Sequence, residues 1–168
     1  SLNEHNESAR LGVVVEQLRD GQKVGLVSDA GTPLLSDPGA RLVQAVIDAD
    51  LPVTVVPGAS AALTAVVGSG LPLAPSVFLG FAARKKGKLA QQLAPFVASP
   101  ATLVLFESPG RVAGLLERLE SLVGRRQVVV ARELTKRHET YHRGFLGDDL
   151  GDAWRGEIVV VVGPPDAA

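Results

Sequence analysis

Two segments combine the small, acidic and hydroxyl-bearing residues that bind nucleotide-like ligands. The first, residues 28–39, reads Ser-Asp-Ala-Gly-Thr-Pro-Leu-Leu-Ser-Asp-Pro-Gly and follows an apolar run. Asp29 is placed to accept hydrogen bonds from ribose hydroxyls or an amine, and Gly31 lets a ligand approach the backbone closely. Since the segment is longer than a crossover needs, we interpret residues 29–33 as a binding loop. Asp37-Pro38-Gly39 is interpreted as a helix cap.

The second segment, residues 57–62, reads Pro-Gly-Ala-Ser-Ala-Ala. Its small side chains leave room for a flat, adenosine-like ligand at a strand-to-helix turn. The same side chains would serve close packing of a helix on a sheet equally well. The residues alone leave both interpretations of this segment in place.

A third segment concentrates positive charge. The formal net charge of the chain is -1, but residues 1–83 are net acidic and residues 84–168 are net basic. Residues 84–88 (Arg-Lys-Lys-Gly-Lys) lie at a predicted helix start, where the helix dipole disfavours cations. We interpret them as a phosphate-binding segment for a polyanion such as RNA, with Arg125-Arg126 and Lys136-Arg137 as weaker candidates. A solvated helix face is the alternative.

Several common sites are absent from the sequence. It has no G-x-G-x-x-G, no G-x-x-x-x-G-K-[ST] and no G-x-S-x-G motif. The lack of cysteine excludes disulfides, thiolate zinc sites and cysteine nucleophiles. The three histidines, His5, His138 and His142, do not have the helical spacing of metal ligands, so we expect no metal. The longest apolar run, residues 158–162, is too short to cross a bilayer, so we expect a cytoplasmic protein with no membrane partner.

Apolar runs alternate with helical patterns, which predicts an α/β protein with two small lobes built on parallel or mixed sheets. Hydrophobic residues make up 46% of the chain and aromatic residues only 4%, so Val, Leu and Ala must form the core. We place the first lobe at residues 1–73 and the second at residues 76–168, with a Gly- and Pro-rich linker between them. The predicted strands are residues 23–27, 52–56, 77–81, 102–106, 127–131, 138–144 and 157–162. The predicted helices are residues 8–19, 38–49, 60–67, 85–97, 111–123 and 145–154.

Residues 27–39 and 56–61 resemble the tetrapyrrole methylase superfamily of S-adenosylmethionine enzymes. Within it, the chain is most similar to the branch that 2'-O-methylates a cytidine ribose in 16S rRNA of the small ribosomal subunit. That narrower resemblance is carried by Glu4-His5-Asn6-Glu7, Phe106-Glu107-Ser108-Pro109, Glu133-Leu134-Thr135-Lys136-Arg137-His138-Glu139 and Arg143-Gly144. The family's opening strand and its Pro-Ile-Gly-Asn-Leu-like loop have no counterpart here. We therefore expect the first part of the enzyme to be missing and a sheet edge of the first lobe to be uncovered.

The resemblance implies the tetrapyrrole methylase-like fold, in which two lobes hold S-adenosylmethionine between them, and a homodimer. The cofactor-binding residues that it implies are Asp29, Ala30, Gly31, Pro33, Ser60, Ala61, Glu107, Ser108, Leu134 and Thr135. Four groups are candidates to take or orient the ribose hydroxyl proton: Glu7, Glu107, Lys136 and Glu139. For Glu107, a salt bridge to Arg111 four residues later is the structural alternative. The residues expected to contact RNA are Arg84, Lys85, Lys86, Lys88 and Arg137.

Two other functions remain as alternatives. One is methylation of a porphyrinoid by a small-molecule enzyme of the same superfamily, against which the basic segment and residues 133–139 argue. The other is a non-catalytic module that binds RNA or forms dimers.

Overall fold

The computed structural model describes residues 1–3, 6–151 and 153–165. The chain forms two compact units, unit 1 from Ser1 to Ser60 and unit 2 from Ala61 to Ala168. Unit 1 contains helices α1 (Glu7–Arg19) and α2 (Ala40–Asp48). The helices of unit 2 are α3 (Ala61–Ser69), α4 (Lys86–Leu93) and α5 (Val112–Val123). Its strands are β1 (Ser76–Phe81), β2 (Thr102–Glu107), β3 (Gln127–Arg132), β4 (Thr140–Phe145) and β5 (Ile158–Val162).

Unit 1 is held together by contact between its two helices. Val15 of α1 is buried with Leu42 and Val46 of α2, and flanking leucines and alanines surround these three side chains. Leu42 and Val46 are four residues apart, so they lie on the same face of α2. Helix α2 begins after Gly39, whose φ of 128° favours glycine. The helix therefore starts slightly later than the predicted Asp37 cap.

The strands predicted over residues 23–27 and 52–56 do not form in unit 1. Neither segment is paired in a β-ladder, and Val27 and Val56 are each 85% exposed. A strand is stabilised by hydrogen bonds to a neighbouring strand and by packing of its side chains. Within the described part of unit 1 no strand is present to supply either, so the sheet edge expected there is not formed. The branched apolar residues of these two segments indicate a preference for strand structure. Their composition does not show whether a partner strand is present.

Unit 2 is built on a five-stranded mixed sheet in the order β1-β2-β5-β3-β4. Strands β1 and β2 are parallel, whereas β5 is antiparallel to both β2 and β3, and β4 is antiparallel to β3. This confirms the predicted α/β class with a mixed sheet. Within the described residues, no helix is long and apolar enough to cross a membrane.

Helices cover both faces of the sheet in unit 2. Helices α4 and α5 pack on one face through fully buried leucines, and helix α3 packs on the other through alanine and valine. Alternate residues of each central strand supply the two cores, so Val160 faces α5 whereas Val159 and Val161 face the α3 side. Because α3 belongs to unit 2, the chain divides after Ser60 in the structure. The expected division at residues 73–76 stays a prediction.

The helix predicted over residues 145–154 is wrong for the described part of that range. The chain turns instead, with positive φ at Gly147 and Gly151. The Asp148 carboxylate accepts a hydrogen bond from the Phe145 amide, a local turn contact that competes with helix formation. Asp152 lies outside the described residues. The helix predicted over residues 85–97 ends early, in a short 3-10 turn from Ala94 to Phe96 that contains Pro95.

Strand β4 holds the end of helix α3 through two side chains. Arg143 donates hydrogen bonds to the carbonyls of Gly68 and Ser69, two acceptors left without partners at the helix terminus. Tyr141 packs so close to Gly68 that an added Cβ there would lie 2.3 Å from the phenolic oxygen. The Arg143 guanidinium lies 4.9 Å from the centre of the Tyr141 ring. Burial raises the pKa of the Tyr141 hydroxyl.

We expect Gly68→Ala to destabilise the protein by about 1–3 kcal/mol, because its Cβ forces the Tyr141 ring to move. The matched control is Gly114→Ala in helix α5, where an added Cβ meets nothing within 4 Å. That variant should gain about 0.5–1 kcal/mol from the better helix former. Urea denaturation followed by the fluorescence of Trp154, buried in unit 2, measures both changes. Equal shifts for the two variants would contradict the packing described.

Candidate active site

The strand register of unit 2 brings two of the predicted motifs to one edge of the sheet. Glu107 at the end of β2 and Arg132 at the end of β3 both pair with Ile158, the first residue of β5. With strands about 4.8 Å apart, the ends of β2 and β3 are about 10 Å apart. Residues 107–108 and 133–139 therefore lie on the same edge of the sheet, on either side of the start of β5. This is the edge at which α/β proteins bind ligands.

Glu107 is a buried carboxylate that organises the turn after β2. Its Oε1 accepts hydrogen bonds from the amide of Ser108 at 2.7 Å and from the Ser108 hydroxyl at 3.3 Å. Its Oε2 lies 2.9 Å from Nη2 of Arg111, which also donates to the carbonyl of Ala82. This confirms the salt bridge considered in the sequence analysis. Breaking such a pair leaves an uncompensated buried charge, so Arg111 holds Glu107 in place.

Residues 133–139 form a compact turn whose shape depends on two left-handed residues. Glu133 has a φ of 50° and Thr135 a φ of 64°, which are unusual outside glycine. A carboxylate oxygen of Glu139 accepts a hydrogen bond from the Thr135 amide and closes the turn. Leu134 is buried against the α3 side of the sheet. The turn therefore presents the Thr135 and Glu139 side chains to solvent in a fixed arrangement.

Lys136 is bound between two carboxylates. Its ammonium lies 3.0 Å from Glu133 and 3.1 Å from Glu157. Its hydrogen bonds to Glu133 and then Glu157 raise the pKa of Lys136, so the amine stays protonated at neutral pH. The pKa of Glu133 is lowered, first by the backbone amide of Glu157 and then by Lys136. A protonated amine cannot remove a proton, so the geometry favours Lys136 as an orienting cation over a base.

In unit 1 a hydrogen bond joins the two loops that the sequence analysis identified. The Thr32 hydroxyl donates to the carbonyl of Ala59 at 2.8 Å, and the Ser28 hydroxyl donates to the carbonyl of Ala30. Gly31 has a φ of 68°, and an added Cβ there would lie 3.9 Å from the Ala59 oxygen. The first loop is thus folded against the second, next to Ser60, the last residue of unit 1. Pro33 is half-buried in the same loop, and Ala61 begins helix α3 in unit 2.

The Asp29 carboxylate is exposed at the start of this folded loop. It makes no hydrogen bond or ion pair with any of residues 1–3, 6–151 or 153–165. The hydrogen bonds of Ser28 and Thr32 hold the loop backbone on either side of Asp29, and the Asp29 carboxylate oxygens stay available. That arrangement fits an acceptor for a polar ligand.

Glu7, a predicted proton acceptor, serves as the cap of helix α2 in the structure. It is buried, and its Oε1 accepts hydrogen bonds from the amides of Gly39, Arg41 and Leu42 at 3.1, 3.0 and 3.3 Å. These amides would otherwise lack partners at the helix start. Glu4 and His5 of the same motif lie outside the described residues. No local pattern could have revealed this contact, since the capping residue precedes the helix by more than thirty positions.

The predicted phosphate-binding side chains are exposed. Arg84, Lys85, Lys86 and Lys88 surround the start of helix α4, and within the described chain none of them forms an ion pair. Arg118 of α5 donates to the carbonyl of Arg84 and so brings a further cation to this cluster. Arg137 is also exposed.

Of the weaker candidate pair Arg125-Arg126, only Arg125 is exposed, so Arg126 is wrong as a phosphate-binding residue. Arg126 is buried, and it donates to the carbonyls of Val123 and Val97. Burial lowers the pKa of its guanidinium. Arg125 is paired with Asp148 at 2.8 Å. The sequence around Arg126, just after the end of α5, does not distinguish a buried arginine from a solvated one.

Comparison with known proteins finds similarity to proteins named as methylases and methyltransferases. Residues 1–148 match the family model described as tetrapyrrole (corrin/porphyrin) methylases. The chain is 42% identical to ribosomal RNA small subunit methyltransferase I of Micromonospora olivasterospora over 99% of its length and 55% of that protein. It is 44% identical to the protein of the same name in Mesorhizobium japonicum, over 99% of the chain and 59% of that protein. The chain therefore spans little more than half the length of these relatives.

Solved structures show the same fold at lower identity. One is uroporphyrin-III C-methyltransferase of Thermus thermophilus complexed with S-adenyl homocysteine. It is 18% identical to the chain, with a TM-score of 0.60 over 93% of this chain and 73% of that one. At this identity the comparison establishes the fold.

We expect Glu7→Ala to destabilise unit 1 by about 1–3 kcal/mol, because three helix amides lose their buried acceptor. Hydrogen exchange at the amides of Arg41 and Leu42 should accelerate accordingly. The matched control is Glu16→Ala in the same helix, whose exposed pair with Arg19 is worth about 0.5 kcal/mol or less. Unchanged exchange in the Glu7 variant would contradict the capping role.

Proposed function

Because the chain belongs to the tetrapyrrole methylase family, we propose that it serves S-adenosylmethionine-dependent methylation of a cytidine ribose 2'-hydroxyl in 16S rRNA of the small ribosomal subunit. One observation carries this proposal. Relatives 42% and 44% identical, aligned over 99% of the chain, are named ribosomal RNA small subunit methyltransferase I. Those names give the substrate class and not the methylated atom. The choice of a cytidine 2'-oxygen rests on the motif resemblance of residues 106–109 and 133–139.

The residues of unit 1 fit the methyl donor. The exposed Asp29 carboxylate is available to accept hydrogen bonds from an amine or from ribose hydroxyls, and Gly31 leaves the backbone open to close approach. The hydrogen bond between Thr32 and Ala59 keeps both loops in place before a ligand arrives. The residues that we assign to cofactor binding are, in unit 1, Asp29, Ala30, Gly31, Pro33 and Ser60. In unit 2 they are Ala61, Glu107, Ser108, Leu134 and Thr135.

S-adenosylmethionine supplies an electrophilic methyl group on a good leaving group when it is bound. The protein must then align the hydroxyl and accept its proton. Among the four candidate groups, Glu7 and Glu107 are buried and bound to several donors, and Lys136 stays protonated. The Glu139 carboxylate is exposed, and one of its oxygens closes the 133–139 turn. We therefore assign proton acceptance to Glu139 and orientation of the substrate to Lys136.

The unpaired cations at the start of α4 support an RNA substrate. Arg84, Lys85, Lys86 and Lys88 form an exposed positive surface, which suits the phosphates of a polyanion such as RNA. Arg137 adds a further charge beside the 133–139 turn. We also propose a homodimer, which the motif resemblance implies, and a cytoplasmic location, which a ribosomal substrate implies.

Transfer of a labelled methyl group tests this proposal. The chain, alone and extended to the length of its relatives, is incubated with labelled S-adenosylmethionine and either small ribosomal subunits or uroporphyrinogen. We expect the extended protein to label 16S rRNA and not the tetrapyrrole. Labelling of the tetrapyrrole alone would establish the porphyrinoid alternative. Specific RNA binding without labelling of either substrate would establish the non-catalytic alternative.

We expect Asp29→Ala to weaken S-adenosylmethionine binding about ten- to a hundredfold in the extended protein. A hydrogen bond from a ligand to a charged group is worth about 1.5–3 kcal/mol. The matched control is Asp37→Ala, an exposed carboxylate of the same loop that should leave affinity unchanged. Isothermal titration calorimetry measures both. Unchanged affinity in the Asp29 variant would remove this residue from the cofactor site.

We expect the triple variant of Lys85, Lys86 and Lys88 to alanine to bind the ribosomal subunit more weakly and with less salt dependence. Loss of three phosphate contacts should reduce the slope of log K against log salt by about 2–3. S-adenosylmethionine affinity should not change. The control replaces three cations of unit 1, Arg10, Arg19 and Lys23. An unchanged slope in the lysine variant would identify the cluster as a solvated helix start.

A further inference from the structure

Phe81 is an exposed aromatic ring at the end of β1, at the same sheet edge as Glu107. Its side chain is among the large hydrophobic groups left in solvent, with 57% of the residue exposed. The ring contacts Phe106 edge to face, with centroids 5.7 Å apart and an interplanar angle of 69°. An edge-to-face contact occupies at most one face of the Phe81 ring. The other face is available to a planar ligand.

A bulge in β1 creates this exposure. Phe78 pairs with Val104 and Phe81 pairs with Phe106, so β1 uses one more residue than β2 between the two pairs. Gly80, with a φ of 66°, accommodates the extra residue. Without the bulge, Phe81 would lie on the same face as Leu79, which packs against the core beneath α4 and α5. The bulge moves Phe81 to the opposite face, where Phe78 and Phe106 lie.

The backbone after Phe81 is held by side chains from two helices. Gln92 donates to the carbonyl of Leu79 at 2.9 Å, and its carbonyl accepts from the Ala83 amide at 3.1 Å. Arg111, in the turn before α5, donates to the carbonyl of Ala82. Arg118 of α5 donates to the carbonyl of Arg84. The segment is thus fixed in its main chain, while the side chains of Phe81 and of the following cations extend into solvent. Preorganisation of this kind lowers the entropy lost on binding.

Phe81 lies three residues before the first cation of the unpaired cluster, Arg84. Proteins that bind single-stranded nucleic acid combine a cationic surface, which contacts phosphates, with aromatic rings on which bases stack. We propose that Phe81 is a stacking platform for an unpaired base of the RNA substrate, next to phosphates bound by Arg84, Lys85 and Lys86. This deepens the proposed function and rests on it.

Two RNA probes separate stacking from charge. One is an oligocytidylate of about ten nucleotides, and the other is an abasic ribose-phosphate oligomer of the same length. We expect Phe81→Ala to bind the oligocytidylate about 5- to 150-fold more weakly than the unchanged chain and to bind the abasic oligomer equally well. The triple lysine variant should lose affinity for both probes.

Two further variants control for packing and report contact. Phe81→Leu keeps the apolar contact with Phe106 but lacks the aromatic face, so it should bind like Phe81→Ala. Phe81→Trp should bind the oligocytidylate as well as the unchanged chain does. The fluorescence of the tryptophan introduced at position 81 should be quenched by the oligocytidylate but not by the abasic oligomer. Thermal unfolding of each variant checks that the fold is kept.

Equal losses on both probes, or full binding by Phe81→Leu, would overturn the stacking proposal. So would a change in sedimentation coefficient without a change in RNA affinity, since that result would make Phe81 a contact between copies of the chain. If the unchanged chain bound neither probe nor ribosomal subunits, the proposed RNA substrate itself would be wrong. Binding that ignores Phe81 would overturn only the present inference.

Discussion

Strand β5 contributes branched apolar residues, Ile158 to Val162, that are all buried on the two faces of the unit 2 sheet. Each such side chain stabilises the fold by about 1.5–3 kcal/mol, and their alternation supplies both cores at once. The strand also separates β2 from β3 and fixes their register through Ile158. The turns after β2 and β3 therefore emerge side by side. The candidate site depends on this central strand, although the strand contributes no functional side chain.

Much of unit 2 could be predicted because its elements carry strong local patterns. The run of one isoleucine and four valines in β5 predicts a buried strand, and the leucine spacing of α5 predicts a helix. The predictions that are wrong concern segments whose structure depends on a distant partner. Residues 23–27 and 52–56 have strand composition, yet the described part of unit 1 offers no strand to pair with them. The segment that follows β4 has helical spacing, but glycine at positive φ and a side-chain contact to Asp148 favour a turn.

In unit 2 the candidate site was predictable to the extent that loops after strands carry chemistry. The Glu107–Arg111 pair follows directly from their spacing, whereas the ligand-binding role of Asp29 stays a prediction. The roles of Glu7 and Arg126 could not be foreseen, because burial and long-range hydrogen bonds decide them. The exposure of Phe81 depends on a one-residue bulge, and composition alone gives no sign of it. Side chains that act within their own turn were thus predictable, whereas those set by register or by distant contacts were not.

The most direct test of the account is to locate the methyl group. Small ribosomal subunits are incubated with the extended protein and deuterated S-adenosylmethionine, and the 16S rRNA is digested to nucleosides and analysed by mass spectrometry. The proposed activity predicts label in a single cytidine, on the ribose, so that the adjoining phosphodiester resists alkaline hydrolysis. Label on a base, or on a nucleoside other than cytidine, would contradict it.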